Sequence, residues 1–141
     1  AHQCSVLGVQ EVTREQTRQY GIVSTEKNGA GGERIMAIVE KPEPDKAPSA
    51  QAVIGRYILT PAIFEHLRRV QPGAGGEIQL TDAIATLLGE ETVLACRFTG
   101  TRYDCGSKLG FLQATIAYGR QHPEIGKEFS AWLSNLGCGL K

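Results

Sequence analysis

One short run, Ile35-Met36-Ala37-Ile38-Val39, constrains this chain more than any other, because it is apolar, partly β-branched and halted by Glu40-Lys41-Pro42. Five apolar residues are too few for a buried helix, so the run predicts a buried strand. Proline lacks the N–H that a sheet ladder needs and steers the residue before it towards extended backbone. The strand therefore ends by presenting a carboxylate and an ammonium side by side. In open α/β sheets, ligands sit outside the carboxyl ends of strands. A Glu and a Lys placed there can accept hydrogen bonds from hydroxyls and donate to a phosphate.

The rest of the chain supplies a sheet around that strand. Residues 5–12, 21–24, 52–59 and 92–98 also read as strands, and 21–41 resembles a hairpin turning at 28–32. Residues 11–20 are polar and read as a loop or short helix. The segment 42–49, with three prolines, reads as an exposed connector. Thr60 suits an N-cap and Pro61 a first helical position for a helix near 62–70. Its apolar face is Ile63, Leu67 and Val70, with His66 turned to solvent. A second helix near 80–88 carries Leu80, Ile84, Leu87 and Leu88 on one stripe. Ser107 caps a third, ending near Arg120, with Leu109, Leu112, Ile116 and Ala117 inward. Pro123 opens a fourth, with Ile125, Phe129, Trp132 and Leu133 on its apolar face. The alternation of strands and helices predicts a mixed α/β sheet.

Length and charge exclude several functions. A chain of 141 residues fits one domain with a sizeable core. Fifteen basic residues balance fifteen acidic ones, which argues against a general nucleic-acid or anionic-membrane surface. No apolar run approaches the roughly 20 residues that span a bilayer. The N-terminus has no signal-peptide order. It also lacks an initiator methionine and opens almost at once into a strand, as a segment cut from something longer would. Cysteines 4, 96, 105 and 138 form no CxxC pair and fit a reducing cytoplasm, with Cys105 read as a small core residue. No GxSxG or HExxH motif supports nucleophilic hydrolysis or zinc proteolysis.

Four further positions invite chemistry. The glycine-rich stretch Gly73–Gly76 matches neither GxGxxG nor a P-loop and reads as a turn. Glu77 beyond it stands at a loop-to-helix junction, where it can bond a ligand hydroxyl or cap the helix. Asp104 follows a strand and precedes a helix. It is equally suited to holding Mg²⁺ beside substrate phosphates and to capping that helix. Gly55 interrupts an apolar strand, as a bulge or a close ligand approach requires. Gly21, at a strand start, suits a turn or a sugar edge.

Five segments occur in one order: Tyr20-Gly21-Ile22-Val23, Val39-Glu40-Lys41-Pro42, Val53-Ile54-Gly55-Arg56-Tyr57, Gly75-Gly76-Glu77-Ile78-Gln79-Leu80-Thr81-Asp82 and Arg102-Tyr103-Asp104-Cys105-Gly106. The series resembles the C-terminal half of the bacterial UTP–glucose-1-phosphate uridylyltransferases, or UDP-glucose pyrophosphorylases, among the sugar-phosphate nucleotidyltransferases. The resemblance implies a Rossmann-like α/β fold with a mixed sheet, of which residues 1–141 are the sugar-phosphate-binding half. It implies a reaction of UTP with glucose 1-phosphate giving UDP-glucose and pyrophosphate, with Mg²⁺, in a protein that is typically a homo-oligomer. Lys41 then holds the sugar's phosphate and Glu40 its hydroxyls. Gly21 and the backbone from Val53 to Gly55 line the sugar, and Asp104 stands beside the metal. The family's GxGTRxxP nucleotide loop is missing from this sequence, so a lone copy of it is expected to be inactive. Two other readings stay open: a thymidylyl-, cytidylyl- or adenylyltransferase, and a catalytically silent regulatory or assembly module.

Overall fold

The computed structural model of the chain describes residues 4–28, 32–73 and 76–139, with side chains to residue 136 apart from that of Asn28. The turn expected at 28–32 and the glycine-rich stretch 73–76 lie partly outside the described residues, as does the side chain of Cys138. The backbone forms two compact units, Ala1–Thr99 and Gly100–Lys141.

The first unit holds five strands: β1 (Ser5–Glu11), β2 (Gly21–Asn28), β3 (Gly32–Glu40), β4 (Gln51–Ile58) and β5 (Val93–Arg97). A 3-10 turn, Glu15–Gln19, joins β1 to β2, and two helices, α1 (Ile63–Arg69) and α2 (Leu80–Leu87), lie between β4 and β5. The sheet is mixed, as the alternation predicts. β1 runs parallel to β5 and antiparallel to β4. β2 pairs antiparallel with β3 and, more briefly, with β4. Two residue pairs join β3 to β5, so the ladder closes on itself in the order β1-β4-β2-β3-β5. Strand alternation turns Leu7 and Val9 inward. They meet Val23, Val53 and Val93 from the sheet and Ile63, Ile84 and Leu87 from the helices in one core. Each such side chain contributes about 1.5–3 kcal/mol on burial.

Several expectations change at this level. The run 35–39 is a strand, but it is not buried throughout: Met36 is 46% and Val39 42% exposed. Ser24 pairs with Ala37 and Thr25 with Ile35, so Met36 is an extra, bulged residue. That bulge shifts the phase and leaves Ile35 and Ile38 facing in. Thr60 does not cap α1, whose N-cap is Ala62. Its hydroxyl donates to Glu91 instead, while its N–H donates to the buried Ser5 hydroxyl. His66 is 5% exposed rather than solvent-facing, because it shares a helix face with Ile63 and packs on α2. The Thr86 hydroxyl donates to the Ala83 carbonyl, so it accepts from His66 Nδ1 at 2.8 Å. Gly55 does mark a bulge: Leu7 faces Tyr57 while Val9 faces Val53, so β4 carries two extra residues there, with Gly55 at φ 70°.

The connector 42–49 is tied down along its length. Pro42 and Ala47 are buried, and Ala47 joins Ile22 and Ala52 in a small second core.

The second unit is a pair of helices, α3 (Lys108–Gln121) and α4 (Gly126–Gly139). Ser107 caps α3 as expected, its hydroxyl oxygen accepting from the Gly110 N–H. The inward face of α3 differs from the expected one. Gly110 and Ala114 are buried, whereas Leu109, Leu112 and Ile116 are exposed, Leu109 by 67%. Small residues win because backbone comes close: a Cβ on Gly110 would collide with the Asp104 carbonyl. Phe129 of α4 lies against Gly119 and stacks on Trp132. Cys105 is exposed, not a core residue. No helix among the described residues is long and apolar enough to cross a membrane.

Candidate functional site

Glu40 is the last residue of β3, and its partner across the ladder is Gly21, the first residue of β2. The pairing explains the glycine. A Cβ at position 21 would stand 3.3 Å from Glu40 Oε2 and 3.4 Å from Thr81 Oγ1. The carboxylate thus crowds the space that a Cβ would take and would have to give way by a few tenths of an ångström. Thr81, in the first turn of α2, donates its hydroxyl to Glu40 Oε2 at 2.6 Å. That short bond to a charged acceptor is of the stronger kind. It holds the carboxylate at a helix N-terminus, where negative charge is favoured. Thr81 lies within the Gly75–Asp82 segment, but its sequence position alone does not mark it as a site residue. Its signal was a hydroxyl in the first turn of a helix.

Lys41 follows with φ 43°, in the left-handed region, rather than extended as the proline rule predicts. Its N–H donates to the Tyr20 carbonyl at 3.0 Å, and this bond and the buried Pro42 fix the turn. Left-handed backbone costs a non-glycine residue about 1–2 kcal/mol, and such strain gathers at functional sites. Lys41 Nζ stands 3.7 Å from Glu40 Oε1. That is a charge contact rather than a hydrogen bond, and the half-exposed amine donates to no other group among the described residues. Tyr57 is near enough to sense the same carboxylate. Burial raises its pKa above the ordinary tyrosine value, and the Glu40 charge adds to the effect.

Gly21, Glu40 and Lys41 are therefore brought together, with Thr81 added. Val53 is buried with its side chain in the main core, leaving only its backbone for a ligand. Gly55 is exposed, with open space where a Cβ would stand. Glu77 is exposed on the loop before α2 and does not cap it; the N-cap is Gln79. No hydrogen bond or ion pair joins Gly55 or Glu77 to Gly21, Glu40, Lys41 or Thr81 among the described residues. Asp104 belongs to the second unit. It does not cap α3 with its side chain: Oδ1 accepts from the Gly106 N–H at 3.1 Å, and its carbonyl accepts from the N–H and hydroxyl of Ser107. The carboxylate is exposed, with Oδ2 unengaged among the described residues. No group of three metal-ligating side chains occurs among those residues. A single carboxylate still suits Mg²⁺, which keeps most of its shell for water and phosphate oxygens.

A UTP–glucose-1-phosphate uridylyltransferase of Staphylococcus epidermidis is 44% identical over 132 residues, covering 94% of this chain and 46% of the relative. A solved UDP-glucose pyrophosphorylase complexed with UDP-glucose superimposes with a TM-score of 0.79 at 45% identity, over 85% of this chain and 46% of its own. A UTP-bound UGPase from Acinetobacter baumannii gives a TM-score of 0.79 at 41% identity, over 95% of this chain and 46% of its own. The chain thus spans a little under half the length of these relatives, and the nucleotidyltransferase α/β fold expected from the sequence is the fold observed. The sequence profile of the nucleotidyl transferase family matches residues 2–121, and the chain belongs to that family.

Proposed function

We propose that this chain supplies the sugar-phosphate side of a uridylyl transfer, in which UTP and glucose 1-phosphate give UDP-glucose and pyrophosphate. The observation that carries the reading is the pair at the end of β3. A carboxylate seated on Gly21 and Thr81 stands beside an ammonium that donates no hydrogen bond among the described residues. Glu40 Oε1 accepts from the sugar's hydroxyls. A sugar lacking them leaves that acceptor unpaired, which rejects it. Lys41 meets the phosphate as a point charge. Gly21 and the backbone from Val53 to Gly55 line the sugar, and Glu77 bonds a further hydroxyl.

In the reaction, an oxygen of the sugar phosphate forms a bond to the α-phosphorus of UTP as the bond to the β-phosphate oxygen breaks. Pyrophosphate leaves with that electron pair. Such transfers depend on positioning and charge neutralisation more than on covalent chemistry. Lys41 offsets the repulsion between the incoming phosphate and the triphosphate. Asp104 is the carboxylate that would hold Mg²⁺, which when bound offsets charge on the phosphates.

Calorimetric titration of the 141-residue chain with glucose 1-phosphate tests the reading. We expect saturable heat, weakened about tenfold or more by Glu40→Ala and by Lys41→Ala. No heat, or heat indifferent to both substitutions, refutes it.

A further inference from the structure

We infer that Arg14 is a positioning residue for Lys41; the inference rests on the reading of Lys41 as the phosphate-binding group. Lys41 holds φ 43° directly before a proline, although both its Cβ and that proline favour other backbone. Such a conformation persists only where neighbours over-determine it. What over-determines it is the strap 42–50, held at both ends and in the middle.

At the near end, the Lys41 N–H bonds the Tyr20 carbonyl, and Pro42 is buried over the fully buried Thr17. At the far end, the Ser49 hydroxyl donates to the Val23 carbonyl at 2.5 Å and the Val12 N–H to the Ala50 carbonyl at 2.9 Å. The middle is held by the burial of Ala47 and by Arg14, whose Nη1 donates to the Ala47 carbonyl at 3.0 Å and the Pro44 carbonyl at 3.4 Å. A charged donor makes these bonds stronger than neutral ones. The Arg18–Glu43 pair is more than half exposed on both sides and adds little. Arg14 is in turn fixed by the 3-10 turn, since the N–H and hydroxyl of Thr17 both donate to its carbonyl. Without the guanidinium, the strap loosens behind Pro42, Lys41 relaxes towards extended backbone, and its amine leaves the side of Glu40.

Two readouts on the full chain test this. The first is amide exchange, which needs no ligand. Arg14→Ala is expected to speed exchange of the Lys41 N–H roughly tenfold. The Phe98 N–H, bonded to the Val9 carbonyl at 2.8 Å, is expected to keep its protection. The second is glucose 1-phosphate affinity by calorimetry. Arg14→Ala is expected to weaken it roughly tenfold, Arg14→Lys to recover part of the loss, and Arg14→Ala to cost nothing further in a Lys41→Ala background. Unchanged Lys41 exchange, or affinity losses that simply add, overturns the inference. If exchange responds while the native chain binds no glucose 1-phosphate, the clamp on the backbone stands and the proposed function falls. Should Arg14→Ala melt below the assay temperature, Arg14→Gln, a shorter neutral donor, carries the same comparison.

Discussion

Replacing Lys41 by glycine and, separately, by alanine divides what the backbone demands from what the amine does. Both variants lose the ammonium and its 3.7 Å contact with Glu40. A partly exposed pair of that kind contributes at most about 1 kcal/mol, and the loss cancels when the two variants are compared. What remains is conformation. At φ 43° the alanine Cβ costs about 1–2 kcal/mol that glycine does not incur. Glycine returns about 0.5–1 kcal/mol of this through the greater freedom of its unfolded chain. The balance favours Lys41→Gly by about 0.5–1 kcal/mol, or about 2–5 °C in Tm for a chain of this size. Urea titration followed by circular dichroism, with m unchanged between variants, reads the difference directly. An ordinary extended residue gives the opposite order, so an alanine variant as stable as the glycine variant, or more so, refutes the left-handed assignment.

Gly21→Ala places a methyl 3.3 Å from Glu40 Oε2; the carboxylate must shift by a few tenths of an ångström. We expect stability to fall by less than about 1.5 kcal/mol while glucose 1-phosphate affinity falls several-fold, as parallel urea and calorimetric titrations will show. Glu33 is held below the ordinary glutamate range, chiefly by the Thr25 hydroxyl, with Arg97 and Gln51 adding to it against a burial effect that opposes. A depressed folded pKa gives stability that is present above the unfolded value and lost as pH falls through the folded one. Thr25→Val should therefore flatten the acid limb of stability between about pH 5 and pH 3; urea midpoints across that range measure it, and an unaltered limb contradicts the assignment. Ile84, fully buried in the main core, should cost about 2–5 kcal/mol on change to alanine, read as a lower urea midpoint with the same m.

The strands and helices were legible because period-two and period-3.6 patterns survive in single stretches of sequence. Ser107 was legible as a cap because capping is local chemistry. The errors arise where a distant contact outweighs the local pattern. Thr60 has the right residue type for an N-cap, but the Glu91 carboxylate, 31 residues away, takes its hydroxyl. His66 looks polar along the chain, yet Thr86 gives it a partner that makes burial affordable. The face of α3 was read from its large apolar residues, whereas Gly110 sets the orientation by letting the Asp104 backbone approach. At the site, Glu40 and Lys41 were visible as neighbours at a strand end. Thr81 was not, because nothing in sequence brings residues 40 and 81 together. The left-handed turn at Lys41 was hidden by the proline rule, which describes a preference that the strap overrides.

The bulge in β4 governs how this strand can change in length. Three residues, Ile54, Gly55 and Arg56, lie between the partners of Leu7 and Val9, where an unbulged ladder needs one. The surplus is even, so Tyr57 re-enters the ladder in phase with Val53. A deletion of one residue would make the surplus odd and turn Tyr57 and Ile58 to opposite sides, carrying the phenol away from the Glu40 carboxylate. A deletion of two would straighten the strand and keep every facing. Length changes at this point therefore keep the facing of Tyr57 and Ile58 only when they come in pairs.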